Sequence, residues 1–471
     1  MADETKKLAA FGAGIDLKSV PETVVAHARL LVLDSLAIAI RARHEVDSTA
    51  PLMAALADGG LDQGNSTVPG DSERYGVLGA ALAGGTLIHS LDFDDTHAAS
   101  SLHPSAPVIP AALAVGEAAG ASGADVLAGI IAGYEAICRL GLAVDPADHY
   151  ARGFHPSATC GAFGAALAAG RVLALTPDQM EHALGIALSQ ASGSMQYLAN
   201  GAWTKRFQVG HAAMAGAQAA LLARRGFTGA SDAIEGRHGF FKGYAPDADA
   251  KRAADRLGSH WETAAIAVKP YPSCRYTHAC VDAAQALMAE NGLSVDDIES
   301  VTAGLPQSGM ELTGIPEERK RAPKNIVDGQ FSVHFCVAVM LRQGRFGWDD
   351  YAVHLADPDT LALTARIKAV QDPRAQEAAP EYMAGSLTLG LRDGRTFDKF
   401  VKICRGEPEA PLTPDEIREK TASLVMPILG EDREAAFFHA IMRFEKSDLP
   451  AIMAAVRPEK TASDSPSGAQ D

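Results

Sequence analysis

Six short stretches of this chain carry side chains that can move protons or hold charge. In Leu91-Asp-Phe-Asp-Asp-Thr-His97, three carboxylates, a hydroxyl and an imidazole follow an apolar run. Acids at the C-terminal end of a helix oppose its dipole, so solvent or function must justify them. The functional readings are a catalytic Asp92 oriented by its neighbours or a metal site; the plain reading is a solvated helix end. Leu102-His103-Pro-Ser105 and Gly153-Phe-His155-Pro-Ser157 repeat one device, a His-Pro-Ser before an Ala-rich segment. Backbone N–H groups at such a helix start attract anions. Trp203-Thr-Lys205-Arg206 places two cations before an apolar segment with no acid nearby in sequence. That is a solvated turn or a carboxylate holder. Lys269 to His278 gathers Lys269, Tyr271, Cys274, Arg275, Tyr276 and His278. The sixth stretch, Pro323 to Ser332, holds Asp328 and Gln330 and suits orienting, capping or core roles equally.

Together these groups suit cofactor-free proton chemistry on a carboxylate substrate. Lys and Arg would hold carboxylates and an enediolate-like carbanion, while His and Asp move protons. The chain has no GxGxxG after a strand, no GxxxxGK[ST], no HExxH and no GxSxG elbow, so nucleotide and common hydrolase fingerprints are missing.

Helices must position most of these stretches. Thr23 to Arg41 is apolar around most of its circumference, with Pro21 near its start, which predicts a helix buried on several sides. Ala-rich helices are expected over 75–91, 106–119, 123–140, 158–173 and 212–225. Thr176-Pro-Asp-Gln179 predicts an N-cap, a Pro at N1 and a Gln at N3 for a helix through Leu188. The character changes near Lys269. Ile298–Leu305 alternates like a strand, and Ser386–Phe397 reads as a hairpin with Asp393-Gly394 at a type I′ turn. Helices are expected over His278–Glu290 and Ile326–Gln343, and Thr413-Pro-Asp-Glu416 starts another N-capped helix. The expected division is a discontinuous helical domain over 1–268 and 402–457, an α+β domain over 269–401, and a disordered tail over 458–471.

At 471 residues, with 47% hydrophobic and 21% charged residues, the chain can bury a large core. Its 42 basic and 58 acidic residues leave a net charge of −16. That argues against a general nucleic-acid or anionic-membrane binder, though not against an anionic small substrate at a local site. Six cysteines without CxxC spacing read as free thiols of a reducing compartment. The N-terminus has no apolar signal region, and the uncharged stretch 183–204 is broken by polar residues. A cytoplasmic protein is the expectation.

The ordered set DFDDTH, LHPS, GFHPSATCGAFGAALAAG, TKRFQVGHAAMAGAQAALLARRGFTG, KPYPSCRYTHACVDAA and NIVDGQFSVHF resembles the 2-methylcitrate dehydratase/cis-aconitate decarboxylase family, MmgE/PrpD, over about residues 20–455. The resemblance implies a mostly α fold: a large all-helical domain built from N- and C-terminal segments plus a smaller α+β lid domain. It also implies a homodimer, no metal and no organic cofactor. Known family chemistries are dehydration of 2-methylcitrate, decarboxylation of cis-aconitate and epimerisation of iminodisuccinate, all passing through a carbanion or enolate beside a carboxylate. By motif, Asp92, Thr96, His103, His155, Lys205 and Lys269 match decarboxylase active-site positions. The chain departs from the decarboxylase in three ways: one more residue before His103, Cys274 in place of a His, and no tyrosine between Tyr276 and Tyr351.

The leading expectation is a lyase on a di- or tricarboxylate, a hydro-lyase of the 2-methylcitrate type. His103 and His155 are the acid–base candidates, oriented by Asp92 and Thr96. Lys205 and Lys269 would clamp carboxylates, with Arg206, Arg275, Tyr276 and His278 as further substrate-binding candidates. The rivals are an epimerase or a decarboxylase on the same scaffold, a metal-dependent hydrolase using Asp92, Asp94, Asp95, His97 and His103, and a silent carboxylate-binding protein.

Overall fold

The computed structural model describes residues 3–459. It is mostly helical and divides into two compact units. The first unit comprises Met1–Ser90, Ser100–Ala264 and Ile417–Asp471; the second comprises Leu91–Ala99 and Ala265–Glu416. The expected tail over 458–471 lies outside the described residues except for Pro458 and Glu459.

The first unit is a pack of helices around Val77–Ile88, Ser105–Ala119, Gly123–Ala143, Gly161–Val172 and Thr204–Arg224. Small residues let these backbones touch. A Cβ on Gly210 would stand 2.4 Å from the carbonyl oxygen of Leu82, and one on Gly216 would stand 2.5 Å from the backbone nitrogen of Ala166. The Ala- and Gly-rich composition therefore sets the approach of helix to helix. The helix Glu22–Glu45 runs longer than its apolar pattern suggested, with Pro21 as N-cap and a continuous buried stretch from Leu31 to Ala42. This helix and Gly123–Ala143 are long and apolar enough to cross a membrane, yet both are mostly buried within their own unit. Thr176 and Gln179 form the expected capping box on Pro177–Leu188. The returning C-terminal segment is tied down by Lys420, whose Nζ lies 2.6 Å from the buried Asp34 carboxylate, and by Glu445, which pairs with Arg29 at 3.0 Å. One two-residue antiparallel pair, Ser66–Thr67 with Arg74–Tyr75, is its only strand pairing among the described residues.

The second unit holds a four-stranded sheet in the order Ile367–Gln371, Ile298–Leu305, Gly385–Leu391, Thr396–Val401. The first pair is parallel (Val301 opposite Ile367) and the others antiparallel (Thr302 opposite Thr388, Leu387 opposite Lys399). Helices His278–Asn291 and Val333–Gln343 pack on it. The strand Ile367–Gln371 has no clear sequence signal: its alternation is short and follows the helix Pro358–Thr364 closely.

Two local expectations are corrected. The hairpin does not close with a type I′ turn. Gly394 N–H donates to Leu391 O at 3.0 Å and Leu391 N–H to Arg395 O at 2.9 Å, with Gly394 alone at positive φ. This is a type I turn followed by a glycine bulge, because Asp393 keeps a negative φ and uses its carboxylate on Arg395 instead. The helix expected over 326–343 is two, Ile326–Gln330 and Val333–Gln343. Ser332 breaks it by capping the second, accepting from Phe335 N–H at 3.1 Å.

The second unit also takes in residues on either side of the 269–401 range read from composition. Thr96 and His97 pair antiparallel with Ala267 and Ile266, which draws 91–99 and 265–268 into it. Arg405 donates its N–H to Asp282 at 2.9 Å, which draws in the segment after 401.

Candidate active site

Four of the predicted residues, His103, His155, Lys205 and Arg206, belong to the first unit. The other six, Asp92, Thr96, Lys269, Arg275, Tyr276 and His278, belong to the second.

In the first unit the two His-Pro-Ser segments meet. His155 is the N-cap of the short helix Pro156–Thr159, and Ser157 accepts the backbone N–H of His103 at 3.0 Å. His103 stands just before the helix Ser105–Ala119. A third imidazole joins them: His89, the buried C-cap of Val77–Ile88. Its ring centroid lies 4.7 Å from that of His103, edge-on, and 5.8 Å from that of His155. Imidazoles so placed can hand protons on.

The His155 backbone is held on both sides. Its N–H donates to Gly193 O at 3.2 Å, and Ala158 and Thr159 N–H donate to its carbonyl at 3.0 Å. Its ring is buried against Tyr197, with centroids 5.8 Å apart, and its Nδ1 lies 2.8 Å from Nε2 of Gln208. Lys205 and Arg206 do not precede a helix, as expected from sequence, but sit in the first turn of Thr204–Arg224. The Ala-rich pattern starts only at Ala212, so the polar first two turns carry no apolar helical signal. Lys205 is three residues before Gln208 and therefore on the same helix face. Arg206 donates to Ser48 Oγ at 3.1 Å.

In the second unit the acidic stretch is no solvated helix end. Asp92, Asp94, Asp95 and His97 are all buried. Asp92 has φ +52, a left-handed conformation that aspartate tolerates better than most residues. The buried Nζ of Lys269 donates to the Asp92 carbonyl at 2.9 Å and lies 3.6 Å from its carboxylate. The strand pairing of Thr96 with Ala267 sets that register. Gln330, placed by the helix break, donates to Leu91 O at 2.6 Å, and its own carbonyl accepts from Cys274 N–H at 2.9 Å. The segment 91–97 is thus fixed from both sides.

Arg275 does not present itself as a carboxylate clamp. It is buried and donates to Glu407 Oε1 from Nε (2.9 Å) and Nη2 (2.5 Å), to the Arg405 carbonyl, and to Nδ1 of His278 at 2.8 Å. His278 must then carry its proton on Nε2, which faces Ser273 O at 3.2 Å. Burial, then the neighbouring Arg275 and Lys269, hold this imidazole neutral, well below its ordinary value. Tyr276 is half-buried, and burial raises its phenol. All six cysteines are buried; burial pushes Cys160, Cys336 and Cys404 up to about 12, so these three are poor nucleophiles.

Sequence reading missed His89 and Gln208. His89 ends an apolar helix with no spacing motif around it. Gln208 had one usable signal, its three-residue offset from Lys205.

Two family models match the chain: the MmgE/PrpD N-terminal domain over residues 6–253 and the MmgE/PrpD C-terminal domain over 271–445. Among curated relatives, the cis-aconitate decarboxylase-like protein oryM of Aspergillus oryzae is 29% identical, covering 93% of this chain and 94% of that one. The cis-aconitate decarboxylase of Aspergillus terreus is also 29% identical, covering 91% and 90%. The 2-methylcitrate dehydratase of Salmonella typhimurium is 25% identical, covering 79% and 80%.

Proposed function

The chain belongs to the MmgE/PrpD family, and from that premise we propose that it is a hydro-lyase acting on a di- or tricarboxylate by removing a proton next to a carboxylate. The observation that carries this reading is the meeting of half-buried His103 and buried His155 with buried His89 in one cluster. Dehydration needs two proton transfers, one off carbon and one onto the departing hydroxyl, and so needs two acid–base groups. Decarboxylation to a carbanion needs only one, the later protonation of carbon. His103 and His155 take the two roles. Lys205 holds a substrate carboxylate. Within the second unit, Lys269 holds the Asp92 carbonyl and Arg275 holds His278.

Decarboxylation of a cis-aconitate-like substrate is the second reading. It is favoured by the 29% identity to the Aspergillus relatives of that name, against 24–25% for those named 2-methylcitrate dehydratase.

Incubation of the purified protein with 2-methylcitrate, citrate, cis-aconitate and iminodisuccinate, with products separated by chromatography, tests both. An unsaturated product without carbon dioxide supports the hydro-lyase; release of carbon dioxide from cis-aconitate supports the second reading. No turnover of any of the four overturns the lyase.

A further inference from the structure

We propose that Gln208 is a positioning residue that fixes which ring nitrogen of His155 carries the proton. This rests on His155 being an acid–base group of the lyase. The amide of Gln208 bridges two groups. Its Oε1 accepts the backbone N–H of Ser194 at 2.9 Å, and its Nε2 lies 2.8 Å from Nδ1 of His155. A backbone N–H can only donate, so the amide oxygen must face Ser194 and the NH2 must face the imidazole. Nδ1 of His155 is then an acceptor, and the neutral ring carries its hydrogen on Nε2.

The clamp is held rigidly at both ends. Gln208 is buried in the second turn of Thr204–Arg224. Ser194 lies in a segment pinned to the residues just before His155 by an isolated bridge to Phe154 and by Met195 N–H donating to Gly153 O at 2.9 Å. Gly193 permits this approach, because a Cβ there would stand 2.7 Å from Cβ of Ala158. His89 and Tyr197 pack their rings against that of His155. The amide N–H donor at Nδ1 leaves no acceptor there for a second proton. The arrangement therefore sets Nε2 as the nitrogen that exchanges protons and opposes formation of the imidazolium.

The substitution Gln208→Glu tests this with little change of shape. One carboxylate oxygen still accepts from Ser194 N–H, while the other replaces a donor at Nδ1 by an acceptor. Long-range nitrogen–proton NMR on histidine-labelled protein, with His155→Asn to assign the signal, reads the tautomer directly. The expected result is an Nε2–H ring in the natural chain and an Nδ1–H or doubly protonated ring in Gln208→Glu. With turnover, the acid limb of kcat/KM moves to higher pH by about one unit or more, and kcat falls by about tenfold or more. An Nδ1–H ring in the natural chain overturns the proposal, even if the variant fails to fold. So does a ring unchanged by the substitution. A ring that switches while the pH profile stays put shows that His155 is not the titrating group and overturns its positioning in catalysis. Absence of turnover on every carboxylate tested overturns the lyase reading instead, and the NMR result still decides the tautomer.

Discussion

Ser157, from the second His-Pro-Ser segment, accepts the backbone N–H of His103, from the first, at 3.0 Å. The two repeats, joined by this bond between residues 54 apart, are parts of one cluster. The hydroxyl satisfies a backbone donor just ahead of the helix Ser105–Ala119 and sets where the His103 ring starts. Replacing Ser157 with Ala leaves that donor without its partner, and the expected loss of stability is about 1–3 kcal/mol. Urea unfolding measures it. Turnover should fall as well, because His103 loses its fixed backbone; a Ser157→Ala protein of unchanged stability and rate would refute the link.

Lys205 sits in the first turn of a 21-residue helix, where a cation opposes the helix dipole. Lys205→Gln is expected to drop turnover by about a hundredfold or more, beyond any change in the folded fraction. Thermal unfolding and steady-state kinetics on the same sample separate the two effects.

Gly210 has no room for a side chain: a Cβ would stand 2.2 Å from Thr86 Oγ1 and 2.4 Å from Leu82 O. Gly210→Ala should cost about 1–3 kcal/mol by forcing Thr204–Arg224 away from Val77–Ile88. The same shift would move Lys205 and Gln208, so activity should fall further than the fraction unfolded explains.

Five histidines resist protonation in the folded chain: burial lowers His211 and His354, and three more join them. His149 and His334 are lowered to about 4, chiefly by burial, and His278 is lowered well below its ordinary value by burial and by Arg275. Above pH ~6.5 these rings are neutral in both states and contribute nothing to the pH dependence. Below it the unfolded chain binds protons that the folded chain refuses, so stability falls with acid between pH ~6.5 and about 4. Each ring contributes at most ~1.4 kcal/mol per pH unit. Asp282, whose carboxyl burial raises, acts in the opposite sense over the carboxylate range. Denaturant midpoints at pH 7.5, 6 and 5 should decline in that order, and His334→Gln should flatten the decline. A midpoint constant across the three would count against this account.

The sequence alone determined the main elements. Apolar pattern and caps located the buried helix Glu22–Glu45, the capping box at Thr176 and the strand Ile298–Leu305, because these depend on residues close together in the chain. It also singled out the segments holding His103, His155, Lys205 and Lys269, since their residue types are unusual for helix filler. Tertiary structure decided what each side chain touches. The Asp393-Gly394 turn type depended on a contest between backbone conformation and the Asp393–Arg395 contact. Arg275 looked like a free cation and is committed to Glu407, 132 residues away, while Gln208, an unremarkable amide, reaches His155. Contacts between residues so distant in sequence follow from how the helices and strands pack, and a local pattern carries no record of them.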